Sequence, residues 1–168
     1  MPSSVAHGFA AAALGAALLP GRVFRRLALS GVASAVLLDI DAIGRPFGHG
    51  DIGWLGGHRA LTHSLFFAAV VGGLLVFFWR RRLGERGMRL RAFAFFFTAM
   101  AAHGVLDTFT DYGDGVAFLA PLSWERFESS WEPFQGLWEE VIIVWLPCYL
   151  LLRYARRNEK AVLAPTRE

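Results

Sequence analysis

The sequence predicts an all-α polytopic membrane protein, a bundle of about five transmembrane helices with a metal site at its extracytoplasmic end. Three observations predict it. The 168-residue chain is 55% hydrophobic with a mean hydropathy of +0.41, above the ordinary soluble range. Its apolar residues fall into five runs divided by arginine clusters and acidic stretches. Each run also carries an ionisable residue near the same end, where a random scatter would not place all five.

The first run, Met1 to Leu19, is rich in Ala, Leu and Gly and holds one polar intruder, His7. Its arginines (Arg22, Arg25, Arg26) follow the apolar part, the reverse of a signal peptide, so it reads as a retained helix near the lower length limit for spanning. The second, Leu27 to Ile43, ends with Asp39 and Asp41. A loop from Gly44 to Gly57 then gathers six glycines with Pro46, His49, Asp51 and Trp54; His49 and Asp51 read as solvated. The third run, Leu61 to Trp79, is stopped by Arg80, Arg81 and Arg82, with Arg86, Arg89 and Arg91 beyond.

The fourth run, Ala92 to Asp107, is Phe-rich and closes on His103 and Asp107. Thr108 to Gly136 is polar but studded with Trp and Phe, as segments at headgroup depth are. The fifth run, Leu137 to Tyr154, opens on Glu139 and Glu140 and ends in Arg153, Arg156 and Arg157. Residues 1–158 read as one helical membrane domain and 159–168 as a loose cytoplasmic tail. One cysteine, Cys148, permits no intrachain disulfide.

Charge sets the orientation. Loop 20–26, loop 80–91 and the C-terminal tail hold fourteen of the seventeen Lys and Arg, against three acids. The opposite face holds the other eleven acids. The positive-inside rule puts the arginine clusters and C-terminus in the cytoplasm, with the N-terminus and the polar intruders outside. Basic clusters alternating with apolar runs fit juxtamembrane anchoring, not nucleic-acid binding. The chain reads as an integral protein of a bacterial inner membrane.

The intruders are the residues of metal chemistry. HRALTHS at 58–64 places two imidazoles and a guanidinium within seven residues. On one continuous helix His58 and His63 would lie about 140° apart, so they converge only if His58 precedes the helix and His63 sits in its first turn. His103 and Asp107, at i and i+4, lie about 40° apart and can chelate one ion. Asp39 and Asp41, about 200° apart if helical, should send one carboxylate inward: Asp41 as ligand or bridge, with Asp39 as a further ligand or an imidazole's partner. The metal candidates are His7, Asp41, His58, His63, His103 and Asp107. Mixed His and carboxylate ligands suit Zn2+ first, then Mn2+ or Fe2+, and their number allows one ion or two.

His7, Asp39-Ile-Asp41, HRALTHS and HGVLDTFTDYG at 103–113 resemble the YdjM-like family of membrane-bound metal-dependent hydrolases. The stretch with Pro121, Leu122, Ser123 and Arg126 is similar too, so the resemblance spans most of residues 5–127. Leu38 stands where the family usually has proline. That family is distantly similar to zinc-dependent phospholipase C, which implies metal-binding elements at His7, Asp41, His63 and His103/Asp107.

The expected activity is metal-assisted hydrolysis of a phosphoester, in a phospholipid or other lipid-linked substrate, through metal-activated water. Asp39 or Asp41 would orient or deprotonate that water, and Arg59 would neutralise the substrate phosphate. The expected partners are membrane lipid and an anionic phosphoester. The rival readings are a metal or proton transporter using the same cluster, and a non-catalytic membrane scaffold. Ligands spread through the membrane depth would favour transport; ligands gathered at one end favour an enzyme.

Overall fold

The structure, a computed structural model, describes residues 3–43, 47, 51–110 and 115–163, with side chains as far as Asn158. The glycine-loop residues 44–46 and 48–50, His49 among them, lie outside the described residues, as do 111–114 and 164–168. The fold is all-helical. Among the described residues there is no β-strand, only an isolated antiparallel bridge between Val116 and Phe127.

Helix α1 (Ser4–Leu18) is built from alanine, the best helix former, and is capped by the Ser3 hydroxyl, which accepts from the Ala6 N–H at 3.3 Å. Pro20 ends it and starts α2 (Gly21–Val36). Helix α2 then tightens into a 3-10 turn, Leu37–Ala42, which carries both aspartates. Helix α3 (Leu65–Leu83) is capped by Ser64, whose Oγ accepts from the Phe67 N–H at 3.1 Å. It starts later than the apolar run, because Leu61–His63 forms a separate 3-10 turn. Helix α4 (Arg86–Asp107) follows at once.

The last rod runs as α5 (Leu137–Glu140), a π segment (Val141–Trp145) and α6 (Leu146–Leu163). Pro147 accounts for the π segment: it has no N–H for the Ile143 carbonyl, so the helix must widen there. The rod reaches Leu163, into the stretch expected to be a loose tail.

Helix α4 is the centre of the bundle, packed on α1, α2 and α3, while α1 also meets α6. Glycine permits the closest approach. A Cβ on Gly31 would stand 2.1 Å from Phe95 Cζ, and one on Gly15 2.7 Å from a Phe95 ring carbon. Phe95 of α4 thus fills notches in α1 and α2, the small-residue packing common between membrane helices. Phe96, Met100 and Leu27 complete this buried core.

Among the described helices α4 alone is long and apolar enough to cross a membrane by length and composition; α1 is a shorter apolar helix. Its 22 residues span about 33 Å at 1.5 Å each, matching a hydrocarbon core of about 30 Å.

Candidate metal centre

The antiparallel rods bring the start of α1, the turn after α2, the approach to α3 and the end of α4 to one end of the bundle. Buried there are His7, Asp41, His58, Arg59, Thr62, His63, His103 and Asp107, each under a tenth exposed. Asp39 joins them with its side chain 22% exposed, making it the group nearest to solvent.

One atom each from Asp39, His63, His103 and Asp107 lie within 4.8 Å of one another. His63 Nε2 stands 3.5 Å from both Asp39 Oδ1 and Asp107 Oδ2. His103 Nε2 stands 3.3 Å from Asp39 Oδ1 and 3.5 Å from Asp107 Oδ2. Two ligands of one tetrahedral zinc ion, each about 2.0–2.1 Å from it, are separated by about 3.4 Å. All four of these atoms are buried and make no hydrogen bond. Buried polar atoms are almost always paired, so four buried atoms without a hydrogen bond at ligand-to-ligand spacing, of which Asp107 Oδ2 also meets Arg59 Nε at 3.1 Å as an ion pair, fit a metal ion. Charge agrees: with neutral imidazoles, three carboxylates and the Arg59 guanidinium leave a formal −2 that a divalent cation would balance.

Asp39, Asp41 and His58 form a second group that could hold an ion, and Asp39 belongs to both. Both aspartates therefore face the cluster, against the expectation that one would point away. The cause is the 3-10 turn: at three residues per turn, i and i+2 lie about 120° apart rather than opposite. Asp41 is also an organiser. Its Oδ1 lies 2.8 Å from His58 Nδ1, and its Oδ2 accepts from the Arg59 N–H at 3.2 Å and from the Thr62 hydroxyl.

Thr62 fixes a tautomer. Its hydroxyl hydrogen goes to Asp41, so its oxygen accepts from His63 Nδ1–H at 2.9 Å. Once a metal displaces the proton on Nε2, the His63 Nε2 lone pair would point into the four-atom group, as a ligand requires. Of the other hydroxyls at the helix ends, Ser64 caps, and Thr108 and Thr110 donate back to the Val105 and Asp107 carbonyls.

The two 3-10 turns lie beyond the helix ends, and their acids and imidazole are strongly perturbed. Burial alone would raise Asp41, but hydrogen bonds with His58, His63 and Thr62 hold it below the usual carboxylate range. Burial would likewise raise Asp39, which His103 and His63 hold down instead. Burial would lower His63, yet Asp107, Asp39 and Asp41 push it well above the usual imidazole range. Protons and a metal ion would compete for these atoms.

His7 lies beside the four-atom group. Its Nε2 is 3.5 Å from Asp107 Oδ1, and its ring stacks on His103 with centroids 3.6 Å apart. Arg59 does not face outward as a phosphate ligand should. It is 1% exposed, with Nε 3.1 Å from Asp107 Oδ2 as an ion pair and Nη2 donating to Thr110 Oγ1 at 3.1 Å. Its backbone sits in the left-handed region at φ 61°, a conformation an L residue adopts at a cost. With its guanidinium held inward by the contacts to Asp107 and Thr110, Arg59 positions Asp107.

Four further residues support the site without joining the four-atom group. Arg126 reaches across the chain to donate to the carbonyls of His58 and Gly115 at 3.1 Å and of Gly56 at 3.3 Å. It clamps the loop that carries HRALTHS to the segment 115–127. Gly56 makes that loop possible: its φ is +82°, and a Cβ there would meet Trp124 Cζ3 at 2.4 Å. Asp51, expected in solvent, accepts from the His58 N–H at 3.3 Å. Glu140 accepts from the Ser3 N–H and hydroxyl at 2.8 and 2.7 Å, so it fastens the start of α1 instead of contributing a ligand.

Fold and cluster together define a class: an all-helical protein with a buried His/Asp group able to hold a metal. The profile of the YdjM inner membrane protein family matches residues 1–165, and the chain belongs to that family. It is 37% identical over 127 residues to Inner membrane protein YbcI of Escherichia coli (strain K12), covering 76% of this chain and 72% of that one. No solved structure matches. Family and relative both support a place in the bacterial inner membrane.

Proposed function

We propose that the protein is a membrane-embedded, metal-dependent hydrolase acting on a phosphoester, with its site at the extracytoplasmic end of five membrane-crossing rods. The observation that carries the metal is the four-atom group of Asp39, His63, His103 and Asp107, buried, without hydrogen bonds and at ligand spacing. Support for polytopic insertion comes from the outer faces of the helices beside α4. Leu29 of α2, Phe78 of α3 and Ile142 of the last rod are 81%, 77% and 62% exposed, which suits lipid contact and not water. Orientation follows from the arginine clusters at the opposite end.

A divalent ion held by these residues would supply Lewis acidity and lower the pKa of water towards about 7. The remaining work belongs to the chain. Asp39 is both in the ligand set and partly open to solvent, so it is the residue placed to orient an incoming water and accept its proton. Asp41 and Thr62 hold the His58 and His63 rings, and Arg59 holds Asp107. Phospholipid is the substrate class that the site's membrane level favours.

One feature favours hydrolysis over transport. Beneath the cluster the bundle is filled by Phe95, Phe96, Met100 and Leu27, so the polar path stops at one end. The test is turnover of phospholipids with different headgroups by purified protein in detergent or lipid. Metal-dependent release of phosphorylated headgroup or phosphate, lost in Asp39→Asn, is expected. Metal or proton flux in reconstituted vesicles, dependent on His63 and Asp107 and without any phosphoester cleavage, would replace the hydrolase with a transporter.

A further inference from the structure

A cavity lies at the arginine-rich end of the bundle, away from the His/Asp cluster. It has a volume of about 530 Å3, within the ~300–1,000 Å3 of small-molecule sites. Leu19 of the α1–α2 turn, Phe24 of α2, Met88 of α4 and Leu152 of α6 line its walls. Arg22 and Arg156 are also part of the lining, and both are exposed. Among the described residues neither has an ion-pair or hydrogen-bond partner.

We infer that this groove binds one anionic phospholipid, with an acyl chain against Leu19, Phe24, Met88 and Leu152 and the phosphate between Arg22 and Arg156. Three features of the groove fit that occupant. An apolar groove ending in two cations matches an amphiphile with an apolar tail and an anionic head, and basic pockets between membrane helices bind such headgroups. Helices α2 and α4 both begin at this end, and neither has a side-chain cap, so uncapped N–H groups and two positive dipole ends reinforce the same charge preference. The cavity also lies in a chain of the inner membrane family, where lipid is the abundant amphiphile. The groove sits at the opposite end of the bundle from the proposed hydrolase site and does not depend on it. Its occupant is a retained lipid.

The test uses the full chain in detergent, equilibrated with equal amounts of phosphatidylglycerol and phosphatidylethanolamine of matched acyl chains, with retained lipid read by native mass spectrometry. Each arginine near the phosphate contributes a factor of about five, so two predict a preference for phosphatidylglycerol of roughly 25-fold. Arg22→Gln with Arg156→Gln should remove that preference, while Arg81→Gln with Arg82→Gln, outside the groove, should keep it. Ala155→Trp, which fills the groove, should expel both lipids. An unchanged helical circular-dichroism spectrum and monodisperse elution report that each variant is folded. Equal retention of the two lipids by the wild type would overturn the inference, as would an undiminished preference in the Arg22/Arg156 variant. Saturable displacement of the lipid by glycerol phosphate alone would make the groove a soluble-phosphate site and overturn it too.

Discussion

Replacing Thr62 by valine tests how the cluster is organised. The exchange keeps the shape of a side chain that is 2% exposed and removes one oxygen. Two interactions go with it: the hydrogen bond donated to Asp41 Oδ2 and the one accepted from His63 Nδ1 at 2.9 Å. Asp41 Oδ2 retains the Arg59 N–H, so the carboxylate is weakened and not stranded. His63 loses what fixes its tautomer. Groups that orient a ligand in this way typically contribute a factor of about 10–100 in metal affinity, or about 1.4–2.7 kcal/mol. The net value of two buried hydrogen bonds, roughly 0.5–1.5 kcal/mol each, is of the same size. Competition with a chelator of known affinity should therefore show Thr62→Val one to two decades weaker for Zn2+, with stoichiometry unchanged. His63→Ala should lose binding far beyond that. An unchanged affinity in Thr62→Val, or a loss equal to that of His63→Ala, would refute the relay from Asp41 through Thr62 to His63.

Three other outcomes follow from the same geometry. Arg59→Ala leaves a buried carboxylate without its cation, a change that costs about 3–5 kcal/mol when a buried pair is broken; thermal unfolding should fall and metal affinity should drop, whereas a phosphate-binding role would leave both intact. Because the carboxylates hold a proton on His63 in the metal-free site, loading must release it, so apparent affinity should rise with pH and protons should appear in weakly buffered titrations. If His63 were already neutral, neither the proton release nor this rise of affinity with pH would be seen. A reporter fused after Glu168 should lie in the cytoplasm and one inserted at 129–131 on the other side, with the opposite pattern inverting the placement of the site.

Much of the site was legible because its signals are local. HRALTHS, the His103/Asp107 pair at i and i+4, and the arginine clusters all follow from spacing along one segment, and they suffice to gather the polar residues at one end. What escaped depends on the local backbone or on remote contacts. The inward turn of both Asp39 and Asp41 follows from a 3-10 segment that periodicity at 3.6 residues misjudges. Arg59 reads as a free phosphate ligand until its left-handed backbone and its contacts with Asp107 and Thr110 are known. Arg126, 68 positions from His58, acts on carbonyl groups, and every residue has a carbonyl, so no spacing marks its targets. Glu140 reads as a charge at a helix start, and its bond to Ser3 joins opposite ends of the chain. The groove at the arginine-rich end is likewise formed by four segments whose lining residues are unremarkable singly.

The proposed hydrolase depends on Asp39, His63, His103 and Asp107 holding a metal ion. Elemental analysis of protein purified under metal-replete, chelator-free conditions tests it most directly. At least one equivalent of a divalent metal, zinc first, is expected in the wild type, and its loss in a folded His103→Ala variant. Wild-type protein that is folded and metal-free, or a His103→Ala variant that keeps its full complement, would contradict it.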